Sequence, residues 1–106
     1  MYYGLMQIQF DECILNQANI KDAKRLCLKI KSKYKVLASI GEVLDENNIG
    51  SISLYFSSLN SKTQFIIRTF EGIIEFCESS GFGRVVQDSR RIEAIDKDLK
   101  IPQSRI

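Results

Sequence analysis

The stretch IKDAKRLCLKIKSKYKVLASIGEV, Ile20 to Val43, changes its apolar period partway along, and that change decides the fold. Its first part is helical. At about 100° per residue, Ile20, Ala23, Leu26, Cys27, Ile30 and Tyr34 fall within about a third of the circle. Every basic residue from Lys21 to Lys35 lies outside that arc, and Leu28 alone is misplaced among them. Asn19 stands where an N-cap belongs, so the spacing predicts a helix from about Ile20 to Tyr34. From Val36 the period becomes two. Val36, Ala38 and Ile40 share one face, which predicts a strand over Val36 to Val43.

On the N-terminal side, Tyr2 to Phe10 also alternates, with Gly4, Met6, Ile8 and Phe10 on one face and Tyr3, Leu5, Gln7 and Gln9 on the other. That pattern predicts a half-buried strand. Asp11 to Asn19 is expected to connect it to the helix, packing down in part through Cys13, Ile14 and Leu15. On the C-terminal side, Asp45 to Asn48 has the composition of a turn. Ile49 to Phe56 is a second alternating run, with Ile52, Leu54 and Phe56 inward and Ser51, Ser53 and Tyr55 outward, so the two runs predict a hairpin.

A loop over Ser58 to Ser61 follows, and Ser61-Lys62-Thr63-Gln64 matches a capping box, in which serine and glutamine side chains satisfy orphan backbone donors. The helix it opens is expected to reach about Ser79, to bury Ile66, Phe70, Ile73, Ile74 and Cys77, and to end at Gly81. Arg84 to Ile95 reads as a last strand on the strength of Val85 and Val86, which Ile92 and Ile95 extend or follow with a short helix. The order predicts an α+β, ferredoxin-like βαββαβ domain: a four-stranded antiparallel sheet with two helices on one face. The domain is expected to span residues 1–95, with a loose tail over 96–106 around Pro102.

Composition limits the function. At 106 residues, 44% of them apolar, the chain has the length and apolar content of one globular domain. The three cysteines are widely spaced and form no C-x-x-C pair, so neither a disulfide framework nor a thiolate metal site is indicated. Cys27 and Cys77 fall on apolar helix faces, where a thiol behaves as a small hydrophobe, and a reducing cytoplasm is the expected location. No signal peptide and no membrane span is expected. Histidine is absent, which removes the commonest general base at neutral pH and lowers the expectation of catalysis. No cofactor, metal or small-molecule substrate is indicated.

Three segments resemble the YlxP-like family of small bacterial proteins, a domain of unknown function. Met1-Tyr2-Tyr3-Gly4-Leu5 is similar to that family's hydrophobic opening strand with its early Gly-Leu. Asn19-Ile20-Lys21-Asp22-Ala23-Lys24-Arg25 resembles its Ser-Leu-Lys-Asp/Glu-Lys-Arg helix start, and Tyr34-Lys35-Val36 stands where it has Phe-Asn-Val. Asn19 replaces the serine cap, Lys35 replaces the asparagine, and the hairpin connection lacks the tryptophan many members carry. The resemblance implies a ferredoxin-like fold and no established activity. Members are often encoded beside translation and ribosome-maturation factors, which implies a ribosome or RNA link. The positions shared with the motif are Lys21, Lys24 and Arg25.

The candidate binding residues are Lys21, Lys24, Arg25, Lys29, Lys31, Lys33 and Lys35. Seven of the fifteen residues from Lys21 to Lys35 are basic and only Asp22 opposes them, while the whole chain is only +2. Such concentration is the electrostatic footprint of a polyanion, and phosphate contacts need positive groups on flexible stems. The alternative is an ordinary solvated helix face. The expected function is therefore a non-catalytic protein, RNA- or ribosome-associated through its first helix. A homodimerisation or protein-interaction module using the open sheet face or a strand edge is the other expectation.

Three further features carry less. Tyr3 and Tyr55 on the open face could stack bases but equally serve an interface. Gly81-Phe82-Gly83-Arg84-Val85-Val86 superficially matches an aromatic RNA-binding signature. Ser80 and Arg84 break that match, which leaves a helix-ending turn. Asp88, Glu93, Asp96 and Asp98 have no paired acid/base or calcium-loop spacing, and Arg90 and Arg91 are expected as surface charges.

Overall fold

The computed structural model describes residues 1–44 and 50–95. The hairpin turn expected at Asp45 to Asn48 and the tail expected over 96–106 lie outside the described residues. The elements are β1 (Tyr2–Ile14), α1 (Gln17–Tyr34), β2 (Leu37–Leu44), β3 (Gly50–Asn60), α2 (Thr63–Ser79) and β4 (Val85–Ala94). The four strands form one antiparallel sheet in the order β2-β3-β1-β4, so the class is α+β.

One face of this sheet is the floor of the core. Met6, Ile8 and Phe10 of β1 and Ile52, Leu54 and Phe56 of β3 are buried there. Ala23, Leu26, Cys27 and Ile30 of α1 and Ile66, Phe70, Ile73 and Cys77 of α2 close over them in a single cluster. The period-two and period-3.6 stripes of the sequence are thus the two halves of one apolar layer.

Two glycines let the layers approach. A Cβ on Gly4 would lie 2.5 Å from Ile66 Cγ2 and 2.9 Å from the Phe70 ring, so α2 sits directly on the backbone of β1. A Cβ on Gly72 would lie 2.9 Å from the Tyr34 ring, and the Tyr34 hydroxyl donates to the Gly72 carbonyl at 3.0 Å. That contact joins the end of α1 to the middle of α2.

The boundaries differ from the sequence reading in three places. β1 does not stop at Phe10 but continues to Ile14, which pairs with Ser51 beyond a register shift after Gln9. α1 accordingly begins at Gln17 with Asn16 as N-cap, and Asn19 is the donor in that cap, its N–H reaching Asn16 Oδ1 at 2.8 Å. The expected capping box does not form. β3 runs through Asn60, whose side chain accepts from the Lys62 N–H, and α2 starts at Thr63 after an N-cap with no side-chain bond. At the other end, Gly81 with φ 78° turns the chain out of α2 as expected. Lys35 closes α1 in the left-handed region, φ 57° and ψ 44°, a conformation that disfavours any residue with a Cβ.

Because Ile66 and Phe70 are fully buried, Gly4→Ala should destabilise the fold by about 1–3 kcal/mol through overpacking, despite alanine's lower entropic cost. Urea unfolding monitored by circular dichroism measures this, and an unchanged midpoint would contradict the close approach.

Candidate nucleic-acid interface

Burial of the α1 stripe forces its remaining circumference outward. Lys21, Lys24, Arg25, Lys29, Lys31, Lys33 and Lys35 are all exposed, as is the misplaced Leu28 at 64%. The structure brings them onto one helix but not onto one flat face. Lys24 and Lys31 border a shallow groove against β2 with Cys27, Leu28, Ala38 and Ile40. Arg25 and Lys29 border a second groove of about 480 Å³, formed with Asp22, Leu26, Phe76 and the turn Ser80 to Phe82.

The seven cations are not equally available. Lys33 Nζ lies 5.0 Å from the Phe76 ring centroid and 5.5 Å from that of Tyr34, so this ammonium caps the contact between the helices. Lys35 is the C-cap, its N–H bonded to the Lys31 carbonyl at 3.0 Å. Arg25 lies 3.8 Å from Asp22, an exposed i,i+3 pair of the kind that adds little and exchanges readily for a stronger anion. Lys21, Lys24, Arg25, Lys29 and Lys31 are the candidate residues of α1 whose charged ends lie over no aromatic ring among the described residues, and they span about 15 Å along the helix from Lys21 to Lys31. Lys31 and Lys33 also sit in the last turn, where positive charge complements the helix dipole.

The second helix has the opposite sign. Glu71, Glu75 and Glu78 are exposed on α2 and only Arg68 opposes them, whereas α1 carries six basic residues against Asp22. The helical layer is thus polarised, basic over β2 and β3 and acidic beside it.

The open sheet face is mixed. Tyr55 lies across Gly41 of β2, where a Cβ would collide with its ring, and its hydroxyl accepts from Gln7 Nε2 at 3.1 Å. Under this cover Ser53, expected to face outward, is fully buried, with its hydroxyl 3.4 Å from Gln7 Nε2. Leu37, Leu59 and Leu5 stay exposed, at 71%, 65% and 43%. Tyr3 donates its hydroxyl to Glu93 Oε2 at 2.5 Å, and Arg91 Nε donates to Glu93 Oε1 at 2.7 Å. The Arg90 guanidinium likewise meets Asp88 at 2.7 Å. Asp88 and Glu93 are therefore ion-pair partners of the neighbouring arginines. Asp96 and Asp98 lie outside the described residues.

The Tyr3–Glu93 and Tyr55–Gly41 contacts were not visible in the sequence, because each needs the strand register. Tyr3 stands opposite Glu93 and Gly41 opposite Ser53, one step diagonal from Tyr55. The Cys27 and Cys77 thiols are buried in the core: desolvation pushes Cys27 up to about 11 and Cys77 up to about 12. Neither is a nucleophile at neutral pH. Among the described residues no helix is long and apolar enough to cross a membrane.

No family model matches the chain, and no curated protein matches it. A solved structure does resemble it in fold. The de novo designed protein Foldit4 superposes with a TM-score of 0.54 at 9% identity, over 90% of this chain and 98% of that one. Protein Atu4242 from Agrobacterium tumefaciens gives a TM-score of 0.48 at 12% identity, over 92% and 96% of the two chains.

The Tyr3 hydrogen bond and the Arg91 charge hold the Glu93 carboxyl below its ordinary range, against a smaller opposing desolvation. A carboxyl lowered on folding contributes stability above its unfolded pKa of about 4.3, and that stability is lost as pH falls through the folded value. Glu93→Gln should thus flatten the acid limb of the stability–pH curve, measured by urea midpoints between about pH 7 and about pH 3. An unaltered acid limb would contradict the pairing.

Proposed function

We propose that this protein is a non-catalytic binding module of ferredoxin-like type that docks a structured RNA, ribosomal RNA included, through the outward face of α1. The fold part is supported by the sheet order. β3 lies between β1 and β2, and β1 lies between β3 and β4, so each βαβ unit is split by a strand of the other. The YlxP-like resemblance of the α1 start points the same way.

The observation that carries the docking part is the cluster Lys21, Lys24, Arg25, Lys29 and Lys31, exposed on a helix whose opposite side is locked into the core. Anchoring is supplied by Ala23, Leu26, Cys27 and Ile30, so these cations are not needed for packing. They present charge on flexible stems to successive phosphates, and nothing in the surface selects a base sequence. A second reading, protein docking on the open sheet face, is favoured by the exposure of Leu5, Leu37 and Leu59 around Tyr3 and Tyr55.

Binding of the chain to ribosomal subunits or a structured RNA, titrated against salt, separates the two readings. Each phosphate contact should add a log–log slope of about −0.7 to −0.9, so about four contacts predict a slope near −3. Changing Lys21, Lys24, Arg25 and Lys29 together to Glu should abolish that binding while far-UV circular dichroism stays unchanged. If the variant binds RNA as the wild type does, docking through α1 is wrong. If neither protein binds RNA but a protein partner is retained by the variant and lost on Leu37→Glu, the sheet-face reading holds.

A further inference from the structure

β4 is the last strand of the sheet and, among the described residues, pairs only with β1. Six consecutive residues on it, Val86 to Arg91, are exposed. An open edge of this length is a template for another strand, and the question is which strand fits it.

We infer that the partner is a second copy of this chain, joined by antiparallel β4–β4 pairing about a two-fold axis through Ser89. In an antiparallel pair of identical edge strands the axis is normal to the sheet and sets one residue opposite itself. With Ser89 at the axis, Asp88 of each copy stands opposite Arg90 of the other. Gln87 then meets Arg91, and Val86, 51% exposed on the free chain, meets Ile92. The overlap runs from Val85 to Glu93, nine residues of a ten-residue strand.

An axis through Ile92 also pairs opposite charges, Arg91 with Glu93, but overlaps only Arg90 to Ala94 of the strand, so the Ser89 register keeps the longer ladder. An axis through Asp88, Arg90 or Arg91 sets a charge against its own copy, and one through Gln87 leaves Asp88 opposite Val86. The β2 edge offers no such match, because Leu37–Leu44 carries Glu42 and no basic residue. Charges on an edge strand ordinarily repel partners. Here their alternation repels most strands and accepts its own, which is selection by charge pattern. The product is an eight-stranded sheet with all four helices on one side.

The inference is independent of RNA docking, since α1 packs at the far side of the sheet, over β2 and β3. Sedimentation equilibrium of the intact chain at micromolar to high-micromolar concentration should show a dimer. Asp88→Arg alone and Arg90→Asp alone should each weaken it about tenfold or more, because each places like charges opposite at two symmetric positions. A one-to-one mixture of the two variants should dimerise again, because every facing pair is then opposite in sign. That rescue cannot come from the pair within one chain, which stays broken in both variants. A strictly monomeric wild type overturns the inference. So does a dimer insensitive to either change, or a mixture that fails to recover while both variants keep their native circular dichroism.

Discussion

The close approach of the helices to the sheet and to each other governs the remaining features. α2 rests on bare backbone at Gly4, and α1 reaches α2 where the Tyr34 phenol covers Gly72. A methyl group at either site would have to displace a packed neighbour, and interiors this dense transmit such displacements rather than absorb them. With the helices seated at these distances, both apolar stripes disappear into one core. Whatever lies off the stripes is then committed to the surface. The outward turn of the α1 lysines is therefore a consequence of packing geometry as much as of their hydration.

The buried half of this fold was legible in the residues. The positions Ile20, Ala23, Leu26, Cys27, Ile30 and Tyr34 defined the α1 stripe, and alternation in β1 and β3 identified Met6, Ile8, Ile52, Leu54 and Phe56 as core. Periodicity reports burial directly, which is why it served. Ends were harder. Asn16 and Asn19 are equally good caps by residue type, and the length of β1 decided between them. The Ser61–Gln64 box had the right residues but lost to a strand that continued through Asn60. Local motifs of this kind are weak when a neighbouring ladder can take the same backbone.

The candidate surface was legible only as a list of outward residues. Nothing in the spacing showed that Lys33 would sit over Phe76, because that depends on where α2 passes. Nor could the sequence divide the cations between two grooves. On the sheet side, alternation identified the outward set but not the register, so the cover of Tyr55 over Gly41 and the burial of Ser53 beneath it were hidden. What remains on that face is a tied polar patch beside three bare leucines.

The opposite signs of α1 and α2 have a consequence for encounter rather than for affinity. A body with cations along one helix and carboxylates along its neighbour carries a permanent moment lying across the helical layer. In the field of a polyanion such a body rotates before it touches, within a distance of about a Debye length, roughly 8 Å at physiological salt. It would arrive with α1 leading and α2 trailing. A uniformly basic protein of larger net charge would be attracted more strongly and oriented less. At a net charge of only +2, this chain would gain little from bulk attraction, so under the proposed RNA docking its arrangement of charge would favour orientation over speed of approach.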